Sequence, residues 1–284
     1  MGAIGLGLLS SLFWGTGDFL GGLVSRQLGA KRSIFFIEVI GLILLLILFA
    51  IFPEPFFGWK NFFTALVAGS IGTIGLIVLY HAMSVGLMSV AAPVSALLAA
   101  VLPVLVSIST EGIPGPLALA GFFLAFLSVW FISQDGEKGF HLGRLSDLKW
   151  PFIAGFGFGM YFILIHSASS EAILWPLITG RIGGSTVIIL ILLFTRTGLR
   201  IPERKPWPLI AGNASFDVLG NTFFIFAGQI GRLDIATIMS SLYPLATVGL
   251  AGFILKEKLN KRQWLGIAFA IISIVLLTIY SNPA

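Results

Sequence analysis

Ser33–Phe52 reads SIFFIEVIGLILLLILFAIF, twenty residues with one charge, Glu38. A run of about 20 mostly apolar residues is the length a helix needs to cross a bilayer. Alternation of polar and apolar residues, the mark of a barrel strand, is absent from it. Nine further runs of this kind follow or precede it: roughly 3–24, 62–83, 90–109, 116–133, 151–168, 175–194, 208–229, 235–255 and 264–281. The first run has no basic stretch ahead of it and is too long for a signal peptide. The reading is an all-α polytopic membrane protein with ten transmembrane helices.

Composition agrees. The 284 residues are 57% hydrophobic and 10% charged, with a mean hydropathy of +1.02. A soluble fold of this size still leaves roughly a quarter of its chain surface exposed and could not hide so much apolar area. A soluble enzyme, a nucleic-acid-binding domain and a disordered chain are excluded on that ground. The basic pI near 9.7 comes from short loops between apolar runs, so nucleic acid is not an expected partner. There is no cysteine, which removes disulfides and thiolate chemistry. The three histidines lie apart in sequence, and neither a metal site nor any other cofactor is expected. The bilayer and a small-molecule substrate are the expected partners, with protons as a coupling ion and a monomer or homodimer as the assembly.

Basic residues are unevenly placed. The loops after odd-numbered helices hold 14 of the 17 Lys and Arg, among them Arg26, Lys31 and Arg32, Arg196 to Lys205, and Lys256 to Arg262. The even loops hold Lys60 and Arg232, and Arg181 lies within a helix. Basic loops stay on the cytoplasmic side, so odd loops are expected in the cytoplasm of a cell-membrane protein and both termini outside.

The two halves match at an offset near 145 residues. Ala82, Gly86 and Ser95-Ala96-Leu97 align with Ala227, Gly231 and Ser240-Ser241-Leu242; Glu111 and Gly121 fall opposite Glu257 and Gly266 within a residue. Residues 1–138 and 149–284 each hold five helices, joined by a loop at 139–148. An odd number of crossings turns the second copy upside down, and the loop charges agree with that inversion. Two inverted five-helix repeats are the architecture of many secondary carriers, whose substrate site lies near the midplane between the repeats.

Three segments carry a resemblance: Phe13-Trp14-Gly15, Ser240-Ser241-Leu242-Tyr243-Pro244, and Leu255-Lys256-Glu257-Lys258-Leu259. In their order and spacing the chain resembles the drug/metabolite transporter superfamily, in particular its EamA-like branch of ten helices in two repeats. The resemblance runs the whole chain and implies a secondary transporter of small metabolites, often an exporter of amino acids or related compounds. Pro103 departs from the pattern, being displaced from the place of Pro244. Relatives are often drawn with both termini cytoplasmic, the opposite of the count above.

Ionisable groups in a helix core cost about 2.5–3.5 kcal/mol each, so they mark function. Asp217 lies deep in helix 8, with Asn213 and Asn221 four residues to either side on the same face. An acid between amides can hold a proton or an amine, or it can be a polar seam between helices. Arg181 in helix 7 could clamp a carboxylate or pair with Asp217. Asp18 on helix 1 and Glu38 on helix 2 have matching depth and could share one proton; alternatively Glu38 faces Arg26, Lys31 and Arg32 at the interface. Trp14, Tyr161 and Tyr243 sit beside glycine or proline and could line a cavity. Tyr80, His81, His166 and Ser240 are weaker candidates, with interfacial anchoring the simpler role for the histidines. Pro93, Pro103, Pro176 and Pro244 can kink helices and free carbonyls toward a cavity.

Gly15-Thr16-Gly17-Asp18 also spells the GxGD of intramembrane aspartyl proteases, but the second aspartate of that family lies one helix before it, where this chain has nothing. A passive channel would need a continuous pore with rings of charges or carbonyls, which ten pseudo-two-fold helices do not offer. No Walker motif occurs, so ATP does not drive the chain. The expected function is carriage of amino acids, amines or related zwitterions by alternating access, coupled to protons or another gradient, and not an enzyme.

Overall fold

The computed structural model describes residues 2–82, 88–133, 149–199, 202, 205–256 and 259–281. These residues form helices and no strand. In chain order the helices are α1 (Gly2–Leu28), α2 (Ala30–Ile51), α3 (Trp59–Ala82), α4 (Met88–Glu111), α5 (Pro116–Ile132), α6 (Lys149–Ala168), α7 (Leu174–Phe194), α8 (Trp207–Ile230), α9 (Leu233–Ser240), α10 (Tyr243–Ile254) and α11 (Lys261–Ser281). Nine spans among the described residues are long and apolar enough to cross a membrane, with Leu233–Ile254 counted as one; α5, at 17 residues, is a shorter apolar helix. The chain is a multi-pass membrane protein. Its lipid-facing surface explains exposed side chains such as Phe194, Phe253 and Trp264, which a soluble protein would bury.

Punctuation falls where the backbone demands it. Gly29, at φ 78°, turns α1 into α2 within one residue, a conformation that side chains with a Cβ resist. The ninth span is broken in the middle. Pro244 stands in the first turn of α10 and has no N–H to return to the Ser240 carbonyl, so α9 stops at Ser240 and the chain restarts at Tyr243. α4 runs unbroken across Pro103, so the fourth and ninth spans differ in shape.

Among the described residues, loops meet loops of their own parity. At one face the N-terminal end of α1 packs on Gly231, Glu54 after α2 reaches the start of α7, and Arg232 reaches Glu111 and Gly112 at the end of α4. At the other face Arg32 donates to the Gly198 carbonyl, Gln263 to that of Ile132, and His81 stacks edge-on with Trp150. α1 therefore starts at the first face and α6 at the second.

The helix pairs recur between the halves. α1 packs on α8 and on α9–α10; α6 packs on α3 and on α4; α5 packs on α11. Individual contacts recur at the offset read in the sequence. Ser240 Oγ donates to the Gly7 carbonyl of α1, and Ser95 Oγ to the Pro151 carbonyl of α6. Gly121 is pressed by Leu277, and Gly266 by Ile132. The buried α5–α11 contact and the α1–α9 contact share one apolar core, which includes Ala125, Val129, Met239 and Leu277.

The N-terminus of α7 has no cap from its own sequence. Glu54 supplies one from the loop after α2. Its carboxylate accepts from the backbone N–H groups of Ile173, Leu174 and Trp175 at 2.9–3.2 Å, and Trp175 Nε1 donates to its carbonyl at 3.1 Å. A carboxylate here satisfies donors the helix leaves open and faces the positive end of its dipole. Glu54→Ala is expected to destabilise the protein by about 1–2 kcal/mol, the range of cap removals, while Glu54→Gln loses less. Thermal unfolding in detergent checks this; equal melting of Glu54→Ala and wild type would contradict it.

Candidate functional site

The helices form a half-open cavity of about 250 Å³ at mid-span, lined from α1 to α4, from α6 to α8 and by the α9–α10 break. The outer pair α5 and α11 takes no part. Three glycine contacts bring the walls together. Gly69 of α3 lies against the Gly180 backbone of α7, Gly15 of α1 against the Tyr243 carbonyl, and Gly157 of α6 against Gly75 of α3.

A polar chain crosses the cavity. Arg181 Nη1 on α7 lies 3.0 Å from Glu38 Oε2 on α2, and Arg181 Nη2 bonds Asp217 Oδ2 on α8. Thr73 Oγ1 on α3 donates to Glu38 Oε1 at 3.3 Å. Asn221 Nδ2 donates to the Asp217 carboxylate at 3.1 Å and to its backbone carbonyl at 2.8 Å. Tyr161 on α6 donates to Asn221 Oδ1. Five helices are thus joined by one set of charge-assisted and neutral hydrogen bonds. The side chains of Arg181 and Glu38 are 12% and 11% exposed, that of Asp217 32%, so the chain's Asp217 end is the one open to the cavity. Charged side chains this deep need partners and hydrogen bonds, which is what the arrangement provides.

Small residues make room for it. A Cβ at Gly41 would come within 3.2 Å of the guanidinium, and one at Gly184 would strike Thr73 Oγ1 and press on Glu38. Asn213, one turn before Asp217, does not join the chain. Its Nδ2 donates at 2.6 Å to the Gly17 carbonyl and fastens α8 to α1. Gly17 faces the Asp217 backbone, which sets the neighbouring Asp18 at the same level across the α1–α8 seam. Asp18 lines the cavity, is accessible from it, and makes no hydrogen bond or ion pair with any described residue. Trp14, one turn away, stacks on Phe162 at 5.4 Å and abuts Gly220; Tyr243 closes the wall at the break.

Eight of the sequence candidates therefore meet around one space: Asp217, Asn213, Asn221, Arg181, Asp18, Trp14, Tyr161 and Tyr243. Glu38 joins them. It does not face Arg26, Lys31 and Arg32 at the interface, because the deeper Arg181 offers it a paired position. Nor do Asp18 and Glu38 share a proton: the Glu38 carboxylate is taken by Arg181 and Thr73. Asp217 likewise is bonded to Arg181 rather than to a second aspartate, unlike an aspartyl protease pair. Ser240 points away into the α1 contact, and its neighbour Ser241 takes the place on the cavity wall. His81 is exposed and packs on Trp150 at the end of α3. His166 lies against Gly228, outside the lining. The Tyr80 and Pro93 side chains and Glu257 lie outside what is described. Thr73 and Phe162 were not singled out in the sequence; nothing but their place on apolar helices marks them.

The matching part of the chain is the half that holds Arg181 and Asp217. Residues 148–279 match the EamA-like transporter family. That family is part of the drug/metabolite transporter superfamily, and its members are membrane transporters of small molecules. It is 29% identical over 124 residues to an uncharacterized protein of Methanocaldococcus jannaschii, covering 44% of this chain and 88% of that protein. It is 26% identical over 168 residues to an uncharacterized transporter of Synechocystis sp., covering 54% of this chain and about half (47%) of that relative. A solved crystal structure of a protein superposes with a TM-score of 0.80 at 13% identity over 98% of this chain and 96% of the other, which shows a shared fold.

Proposed function

We propose that this protein is a secondary carrier of amines, amino acids or related small metabolites. It would work by alternating access between two inverted five-helix repeats, residues 1–138 and 149–284, coupled to protons or another gradient. The observation that carries the reading is the Glu38–Arg181–Asp217 chain across a mid-span cavity. Helix-to-helix adhesion alone needs an amide or a hydroxyl, at far lower insertion cost than three charges. A cation held between two carboxylates is also a two-position device. Protonating or occupying Asp217 releases Arg181 toward Glu38, and emptying it lets the arginine return. Moving that bond changes which of α2 and α8 is tied to α7. A ligand shifts such an equilibrium only through its different affinity for the two positions, and Asp217 supplies the difference. The recurrence of the Ser240–Gly7 bond as Ser95–Pro151, and of Gly121–Leu277 as Gly266–Ile132, supports two halves that can exchange conformations.

The basic loops favour an orientation with Arg32 and Gly198 at the cytoplasmic face of the cell membrane. Flux into sealed proteoliposomes with an internal pH dye tests the function. Amines, amino acids, nucleobases and sugar phosphates are added outside in turn. One class should change the internal pH, and Asp217→Asn vesicles with normally folded protein should show at least roughly a tenfold slower response, the consequence of about 1.4 kcal/mol of lost coupling. Wild-type flux in Asp217→Asn would remove Asp217 from the mechanism. Absence of saturable exchange for every class would remove the carrier reading itself.

A further inference from the structure

We propose that the cavity selects organic cations that carry no carboxylate, and that Asp18 is the group that contacts their positive charge. The inference rests on the carrier reading and narrows its substrate class.

Arg181 is the cation among the described lining residues, and it is spoken for. One guanidinium nitrogen serves Glu38 and another serves Asp217. A substrate carboxylate seeking Arg181 would have to displace one of these acids and leave it unpaired in a poorly solvated site. Removing one partner of a buried pair is what makes such sites expensive, and an anion or zwitterion would meet that cost on entry. The acids, by contrast, are in excess. Asp18, Glu38 and Asp217 face one arginine, so the cavity is short of positive charge by two when all four are ionised.

Asp18 is the acid left over. Its carboxylate lines the cavity and is accessible there, while Glu38 and Asp217 are bonded to Arg181. It also has the right neighbours. Trp14 stands one turn before it on α1, and Tyr243 stands at the α9–α10 break. Aromatic faces beside a carboxylate hold an ammonium group by cation–π attraction and a charge-assisted hydrogen bond. Phe158, Phe162 and Leu76 offer an apolar wall for the body of the ligand. A volume of about 250 Å³ suits a small body, being below the 300–1,000 Å³ of sites for drug-sized molecules.

Three probes with one aromatic body and different charge test the idea: phenethylamine (cation), phenylalanine (zwitterion) and 3-phenylpropionate (anion). Binding to the detergent-purified full chain is followed by calorimetry, and exchange by counterflow in proteoliposomes. Phenethylamine should bind at least roughly tenfold tighter than either other probe, a difference of about 1.4 kcal/mol. Asp18→Asn should erase that preference while leaving binding of the uncharged 2-phenylethanol unchanged, a readout that a merely structural role for Asp18 would not give. Asp18→Glu should keep the preference. If Asp18→Asn does not fold, the wild-type charge series and Asp18→Glu still decide. Equal or tighter binding of phenylalanine or phenylpropionate, an unaltered preference in Asp18→Asn, or no binding of any of the three overturns the proposal. None of those outcomes touches the carrier reading, which falls only if the wider solute panel shows no saturable exchange.

Discussion

Arg181→Ala is expected to abolish transport and to lower stability by about 3–5 kcal/mol, the cost of removing one partner from a buried ion pair. The size follows from what would be left behind. Glu38 would keep one hydrogen bond, from Thr73, and Asp217 would keep those from Asn221. Neither set supplies a counter-charge, so two carboxylates would face each other's field at mid-span with no cation between them. Removing the orphaned acids as well should return much of the loss. The triple change Arg181→Met, Glu38→Gln, Asp217→Asn replaces the charges by groups of similar shape, and such exchanges are often neutral for stability. It should melt close to wild type and still fail to transport. That split between stability and flux separates a structural bridge from a working one. A triple variant that transports normally, or an Arg181→Ala protein that melts like wild type, would contradict the argument. Coupling within the set is itself measurable: the three single changes should be far from additive, as expected for residues in one network.

The contrast with the surface cluster at the start of α9 sharpens the point. There Arg232 donates to Asp234 at 2.8 Å and to the carbonyls of Glu111 and Gly112. Asp234 is fully buried, but its arginine is 23% exposed and sits at the rim of the membrane span, where water can replace a lost partner. The same residue types therefore fasten α9 to the end of α4 at the rim, whereas at mid-span they bridge three helices across a cavity.

The sequence made the fold legible because each helix is written in hydrophobic length and several breaks, such as those at Gly29, Gly112 and Gly231, in Gly or Pro. The observed helices begin and end within a few residues of the apolar runs. The polar face of α8 was legible too, since Asn213, Asp217 and Asn221 are separated by one turn each. What periodicity could not tell is partner choice. Glu38 lies close in sequence to three loop cations and yet bonds Arg181, more than a hundred residues away, because the α2–α7 packing sets them side by side. Asn213 shares a face with Asp217, but its register opposite Gly17 gives it to the α1 seam instead. Ser240 and Ser241 were indistinguishable as neighbours; the break caused by Pro244 rotates one to α1 and the other to the cavity. Each of these outcomes depends on crossing geometry, which one helix's sequence does not contain.

Crossing geometry is also the basis of the second large effect. Gly69→Ala is expected to prevent normal folding, although alanine is the better helix former. A Cβ at Gly69 would occupy the position of the Gly180 carbonyl on α7. Backbone, unlike the tip of a side chain, cannot rotate aside. α3 and α7 would have to separate, and Gly183, whose Cβ would in turn meet the Leu66 carbonyl, lies in the same seam. This is the use of small residues between membrane helices: they let backbones approach where lipid offers no hydrophobic drive toward association. Separation would also move Arg181, the residue after Gly180, away from its two acids, so packing and site fail together. Overpacked cores commonly lose about 1–3 kcal/mol, and a backbone clash at a helix crossing belongs at or above the top of that range. The control is Gly22→Ala on α1, where nothing lies within 4 Å of the new methyl group. It should fold, melt and transport as wild type or slightly better. Size-exclusion profiles and thermal melts of the two variants, expressed side by side, check the pair. A monodisperse Gly69→Ala protein with the wild-type melting temperature would show that α3 and α7 do not cross at Gly69 and Gly180, and with that crossing gone the Arg181 site would have to be rebuilt from different neighbours.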